Sequence, residues 1–587
     1  MPVLPGDTLP TRAMTAKSRL ALAAAALWAL PLWVVRFPPM VDYPQQLALS
    51  ALLRWYSDPL RRFRETYELA LWTPHGLFKL LTAGLAWGVP INVAGKLVVS
   101  ASLLGVGLAA LALCRRAGRP GWYALLPLAL TYNTVFYWGF VDNLLAIPLA
   151  LGGVALADAL FDRPFGWRPW LALAGVCVLF YTVHLQFLLL FAGMVGWIAI
   201  CRRPPWKRLA LWLSALVPGV ALCLAVMAYG VLRTAPGVIS GYERRMRSAP
   251  PLRLPLTAKL LRLPDLLFGS YPDRTGWLLL GLLALTAVVA VIFRERAFSL
   301  FSRWTGGRPG EEGRGDEGQQ AGRGNQTERS EPWALLFRTR FATLALWLAF
   351  LYLLLPEFRG GYLIADRVAP FAAMMGVLAL PPPVPERRRL VAALVGLVVA
   401  VQFMQTLSAF LRFRGESAGL EEVLAGTAPG ENLAGLIFER QSASWPGVPV
   451  YLHFPAYYQV EKGGRILFSF AELFQTSARF RPGKSWDGLL REWNDWNPQL
   501  FDYRRHGGRF RYFLVRGTPV DVAAAFGGDP GRLGLTGRTA GEWWLFERPQ
   551  NTPRQAVRPL AQYWSFPSGV LPRDVLVGLP TEAVTRE

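Results

Sequence analysis

Residues Leu20–Val35 (LALAAAALWALPLWVV) run straight into Arg36–Gln46 (RFPPMVDYPQQ). The apolar run approaches the length of roughly 20 residues that spans a bilayer as a helix. Asp42 follows it closely. A carboxylate so near a membrane is costly unless it faces water or a partner. It therefore marks either the edge of an ordinary loop or the mouth of a site, and the rest of the chain must decide which.

Composition sets the class. Of 587 residues, 53% are hydrophobic and only 17% are charged, against about 25% charged in typical soluble domains. Mean hydropathy is +0.29. Apolar stretches near span length recur over residues 1–411. The fold class expected is a polytopic α-helical membrane domain, followed by a C-terminal α/β domain at 412–587. Arg36 and a Pro-Pro pair follow the first run where a cleavage site would need small residues, so a retained anchor is expected.

The net charge of +23 does not indicate nucleic acid. The basic residues lie mostly in short loops between apolar segments, where they set orientation, and no nucleic-acid motif is present. Cys114, Cys177, Cys201 and Cys223 all sit in or beside apolar segments, so the C-terminal region needs no disulfide.

Basic clusters order the spans. Arg12, Lys17 and Arg19 predict a cytoplasmic N-terminus. Arg115 with Arg116 and Arg119, Arg163 with Arg168, Arg202–Arg203 with Lys207–Arg208, and Arg387–Arg389 predict cytoplasmic turns. The polar segment 294–340 joins them, and its part 305–332 reads as disordered. For Arg115–Arg116 to be cytoplasmic, segment 73–90 must lie along the interface. The first external loop then covers 36–90. About eleven crossings result, with the C-terminal domain outside, as suits a bacterial plasma-membrane protein. Segments 169–182 and 184–201 are short and read as a hairpin of shortened helices turning at Tyr181–His184, a type of break that often lines a cavity. Loop 232–275 is unusually basic for an external loop. It carries Arg233, Arg244, Arg245, Lys259 and Arg262, and serves either anionic headgroups or a lipid phosphate, whose oxygens the Arg fork can bond in pairs.

Under this topology Asp42, His75, Asp142 and His184 share the external face, and Arg367 starts a span there. Taken singly, each has a bland reading. Asp42 is a loop acid, Asp142 a helix N-terminal charge favoured by the dipole, His75 an interfacial residue, His184 a buried histidine, and Arg367 a snorkelling cation. Together they support chemistry: a carboxylate to deprotonate an acceptor, a second acid or histidine to orient it, and cations to stabilise a leaving phosphate. If a divalent metal ion takes part, Asp42 and Asp142 are its candidate ligands. Gln45, Gln46, His75 and Tyr181 are candidate acceptor contacts.

In the C-terminal region, strands are expected at 433–438, 448–453, 510–515 and 542–546. The aromatic run Tyr451–Tyr458 suggests core or domain–membrane packing ahead of carbohydrate stacking.

At these residues the layout resembles the GT-C superfamily of membrane glycosyltransferases, which includes protein O-mannosyltransferases and lipid A aminoarabinose transferases. The resemblance covers about residues 18–411. It rests on an acid just after the first span (Asp42), a Thr73-Pro74-His75 element where the family has His-Pro, an acid at the fourth span (Asp142), a histidine in the short-helix hairpin (His184), and an external α/β domain. Asp42 stands here without a second acid beside it, where the family has a pair. The resemblance implies transfer of a sugar from a polyprenyl-phosphate-linked donor to an acceptor on the external face. Asp42 and Asp142 would be catalytic. His184, Arg367, Arg244 and Arg245 would hold the donor phosphate, and membrane lipids would surround the chain. A transporter or flippase of lipid-linked saccharides would need internal repeats, and none is visible between the two halves. A non-catalytic envelope scaffold is the third reading, and under it both acids are expendable.

Overall fold

A computed structural model of the chain describes residues 26–71, 73–233, 253–292, 331–356, 363–473 and 476–549. Arg244 and Arg245, the linker segment 305–330, and Leu20–Ala25 lie outside the described residues.

The membrane domain is built from α1 (Tyr43–Arg54), α2 (Leu77–Leu85), α3 (Ile91–Arg116), α4 (Val141–Leu160), α5 (Trp167–Val183), α6 (Leu185–Arg202), α7 (Val217–Arg233), α8 (Thr275–Ile292), α9 (Glu331–Leu354), α10 (Val368–Ala379) and α11 (Arg388–Glu416). Among the described residues five helices are long and apolar enough to cross a membrane, and several shorter apolar ones pack with them. Small residues allow close packing, as expected where lipid offers no competing hydrophobic drive. A Cβ at Gly105 of α3 would lie 3.0 Å from Pro148 of α4, and one at Gly219 of α7 only 2.7 Å from the Cys177 carbonyl of α5.

The segment 121–138 is not the continuous span its hydropathy suggests. It forms a 3-10 turn at Gly121–Ala124 and two short helices, Leu125–Ala129 and Thr134–Tyr137. The break at 130–133 keeps its polar groups bonded. Asn133 caps the second helix by accepting from Phe136 N at 3.2 Å, and Gln402 donates to the Tyr132 carbonyl. Non-helical backbone at this depth survives only where the protein itself satisfies it.

Helix ends alternate between two ends of the bundle. At one end, Asp158 of α4 is fully buried and receives Arg116 at 3.0 Å, Arg202 at 2.9 Å and Arg340 at 2.9 Å. Arg119 bonds the Ala379 carbonyl there. The starts of α3, α4 and α10 and the α5–α6 junction lie at the other end. Segment 73–90 contributes only the nine-residue α2, about 14 Å at 1.5 Å per residue, far short of the ~30 Å hydrocarbon core.

The C-terminal domain sits on that second end. Its five-stranded sheet has the order β3-β2-β5-β7-β6, from β2 (Asn432–Ile437), β3 (Arg465–Ile466), β5 (Tyr512–Arg516), β6 (Thr536–Ala540) and β7 (Trp543–Glu547). β2 runs parallel to β3 and β5, and β7 is antiparallel to β5 and β6. A separate antiparallel pair joins β1 (Tyr67–Leu69) of the first loop to β4 (Ala478–Phe480), in the register Tyr67↔Phe480. Loop and domain are therefore on one face, which requires an even number of crossings between them.

Two expectations fail here. Residues 448–453 form consecutive turns, not a strand. Pro449 lacks a donor, and local bonds such as Leu452 N to the Pro449 carbonyl take over. The boundary at 411/412 falls inside α11, which continues to Glu416. Phe413 stacks on Tyr451 at 5.3 Å, and the Glu416 carboxylate accepts from Ser442 and Ser444.

Single cysteines test the orientation. Leu60→Cys and Ser240→Cys should react with an impermeant maleimide from outside, while Ala117→Cys and Gly315→Cys should react only after permeabilisation. All four native cysteines are buried and give little background. External labelling at position 117 would overturn the interfacial placement of α2.

Candidate active site

Two largely buried clusters lie at the domain end. The first gathers His75, Asp142, His184 and Arg367, and adds Lys79 and Asn143, which the sequence did not single out. His75 sits in a left-handed conformation, φ 63°, uncommon for a non-glycine residue and a frequent mark of functional sites. This turn aims the ring into the bundle, where it lies 3.1 Å from the Val183 carbonyl. The interfacial reading of His75 is thereby corrected. Lys79 follows one helical turn later, on the same face of α2. Its Nζ donates to Asp142 Oδ2 at 2.8 Å and to the His75 carbonyl. Asp142 lies in the first turn of α4.

His184 is the single extended residue, φ −162° and ψ 116°, between α5 and α6, so the hairpin turns where the sequence suggested. Its ring meets His75 at 4.6 Å. Arg367 NH1 lies 3.0 Å from His184 Nε2. Arginine only donates, so Nε2 accepts and the ring is neutral. Arg367 also approaches Asn143 Oδ1 and stacks over Phe140 at 3.9 Å. Gln186 donates to the Ile364 carbonyl, which fixes the segment leading into Arg367. Burial, then Lys79 and Arg367, push the His75 pKa down to about 3, so this ring is neutral too. The cluster holds two cations against one carboxylate. Asp142 Oδ1, Asn143 Nδ2 and His184 Nδ1 are buried without a protein partner, unusual for polar atoms in a folded interior.

The second cluster belongs to Asp42. Its backbone N–H donates to the Trp138 carbonyl at 3.0 Å. A Cβ at Gly139, φ 74°, would stand 2.7 Å from Asp42 N, so only glycine admits this approach. The loop before α4 thus forms the wall between the clusters. The Asp42 carboxylate faces the C-terminal domain: Oδ1 is 3.1 Å from His453 Nδ1, at ion-pair distance though off the hydrogen-bond direction. His453 Nε2 is 3.2 Å from Asp495 Oδ2. Burial pushes the His453 pKa down, but the two carboxylates, Asp42 first, outweigh it and raise the value to about 9.

Other candidates have structural duties. Gln45 donates to the Phe468 carbonyl and accepts from Phe470 N, so its amide holds the domain and is not open to an acceptor. Gln46 is buried with Oε1 unbonded. Tyr181 is buried within α5. In loop 232–275, Lys259 donates to the carbonyls of Tyr352, Leu353 and Leu355, capping α9, and Arg262 pairs with Asp366 at 2.6 Å. Those two cations are committed within the protein and do not form a docking surface.

The residues present do not fit a metal ion shared by Asp42 and Asp142. Lys79 holds Asp142 Oδ2, while Asp42 Oδ1 is turned to His453 in the other cluster. Among the described residues no group of three or more His, Cys, Asp or Glu is arranged to hold a metal.

The raised His453 pKa has a testable sign. The folded state keeps a proton that the unfolded chain releases near pH 6.5. The resulting stability is fully present below about pH 6.5 and is lost as pH rises through about 9, on the order of 3 kcal/mol in all. Thermal unfolding between pH 7 and 9 should show the midpoint falling more in the wild type than in His453→Gln.

No protein-family model matches the chain, and no curated protein matches it in sequence. Among solved structures it is similar to ArnT from Cupriavidus metallidurans bound to undecaprenyl phosphate, with 13% identity and a TM-score of 0.50 over 91% of this chain and 98% of that one. The apo state of the same ArnT gives 12% identity and a TM-score of 0.47. The helical bundle with its C-terminal domain is therefore similar in fold to ArnT.

Proposed function

We propose that the chain is a membrane glycosyltransferase of about eleven crossings, moving a sugar from a polyprenyl-phosphate-linked donor to an acceptor at the extracytoplasmic face. The observation that carries this reading is the net-cationic cluster of Lys79, Arg367, His184 and Asn143, which the loop before α4 separates from Asp42. Lys79 and Arg367 suit a phosphate, as paired charge and as planar fork. The unfilled groups on His184 and Asn143 supply further bonds. Such groups stabilise the charge that develops on a leaving phosphate. The undecaprenyl phosphate bound by ArnT supports a polyprenyl carrier here. Asp42 takes the acceptor proton, and the sugar is transferred with inversion. Arg244 and Arg245 are proposed to extend the phosphate site from the basic loop.

The test is transfer in liposomes holding the purified full chain, labelled polyprenyl-phosphate sugars and a membrane acceptor fraction. Label should appear on the acceptor only with the protein present. Movement of labelled donor across the bilayer without transfer would favour a flippase, and neither movement nor transfer would favour a scaffold.

A further inference from the structure

We infer that His453, delivered by the C-terminal domain, is a positioning residue for the Asp42 carboxylate, with Asp495 gripping the far side of its ring. The inference rests on the reading of Asp42 as the base.

The geometry is specific. His453 lies in the turn 448–456, and its ring is buried between Phe468 and Phe470, each centroid 5.5 Å away. Nδ1 faces Asp42 Oδ1 at 3.1 Å and Nε2 faces Asp495 Oδ2 at 3.2 Å. Gln45, on the first turn of α1, bonds the backbone on both sides of Ser469. The helix that begins after Asp42 and the segment that flanks His453 are thus tied together. The cavity beside the ring measures about 20 Å³ and is lined by Gln45, Gly435, His453, Phe468 and Asp495 among others. That is room for about one water and excludes a sugar, so His453 acts through Asp42 and does not touch substrate. Asp42 and Asp495 are the charged groups that face the ring from the elements around it, α1 and the segment near 495. β3 and β2 contribute Ile466 and Gly435, which carry no charge.

The chemistry follows from the two oxygens of Asp42. Oδ1 is held at ion-pair distance by His453, which restrains the carboxylate, and Oδ2 is the oxygen assigned to the acceptor. In the transfer, the acceptor's proton passes to Oδ2 and its heteroatom bonds the anomeric carbon. The sugar–phosphate bond breaks, and its electron pair leaves on the polyprenyl phosphate. His453 keeps its protons throughout. A carboxylate free to rotate would lose the near-attack geometry, and misplacement by about 1 Å can lower a rate on the order of 100-fold. The C-terminal domain thereby completes the base.

Steady-state transfer by the reconstituted full chain tests this. His453→Gln should lower kcat roughly 10- to 100-fold with donor KM within about twofold, because the phosphate cluster is untouched. Asp42→Asn/His453→Gln should be no slower than Asp42→Asn alone, as groups acting as one unit are non-additive. Asp495→Asn should show the same kcat-selective loss, smaller in size, and carries the test if His453→Gln does not fold. Wild-type kcat in the folded variant, or losses that multiply in the double variant, would overturn the inference. Activity retained by Asp42→Asn would instead remove the reading of Asp42 as base, a separate result.

Discussion

Asp42→Asn should lower transfer by at least about 100-fold, the lower bound for losing a general base, with donor KM little changed. The side chain keeps its shape and loses its charge. Its environment adds a second effect. Asp42 is one of two carboxylates on the buried His453, so its neutralisation leaves the imidazolium half-compensated. Removing a partner from a buried charged group typically destabilises by about 1–3 kcal/mol. The thermal midpoint should therefore fall as well, more at pH 6 than at pH 9, where His453 releases its proton. Activity measured well below the midpoint separates the two effects. Near wild-type transfer by folded Asp42→Asn would favour the scaffold reading.

The second large effect is expected at Lys79. Both members of the Lys79–Asp142 pair are at most 9% exposed. Breaking a buried pair from one side destabilises by about 3–5 kcal/mol, so Lys79→Met should yield little folded protein. Lys79→Met/Asp142→Asn removes both charges and should recover most of the stability. If Lys79 also holds donor phosphate, the folded double variant will keep a raised donor KM, about tenfold or more for a lost charge-assisted bond worth about 1.5–3 kcal/mol. A double variant with wild-type KM would reduce the pair to a structural one.

What the sequence disclosed follows from physics that acts locally. The arginines at 115–116, 202–203 and 387–389 stand at or beside the ends of α3, α6 and α11, so those helix boundaries were legible. His184 between two short apolar runs marked the hairpin. Lys79 was not legible, because one lysine in an apolar helix reads as an interfacial side chain whose ammonium reaches water. Only the fold brings it onto Asp142. His453 lay within an aromatic run that reads as core, and the run is indeed core. Its partner Asp42 stands at the far end of the sequence, and no spacing rule reaches so far. The chain has four histidines, and three of them occupy the two clusters. In a chain this poor in titratable rings, that scarcity was the one available signal.

The pairing of β1 with β4 bears on biosynthesis. Tyr67 emerges early from the ribosome, and its partner Phe480 follows roughly 400 residues later, which at about 5–20 residues per second is some 20–80 s of translation. During that interval the first loop waits at the membrane with an edge of three residues uncovered. So short an edge is a poor template for pairing with a neighbouring chain. Closure comes only when the C-terminal domain arrives, so a chain truncated before residue 478 would be inserted yet unlatched, and open to membrane proteases.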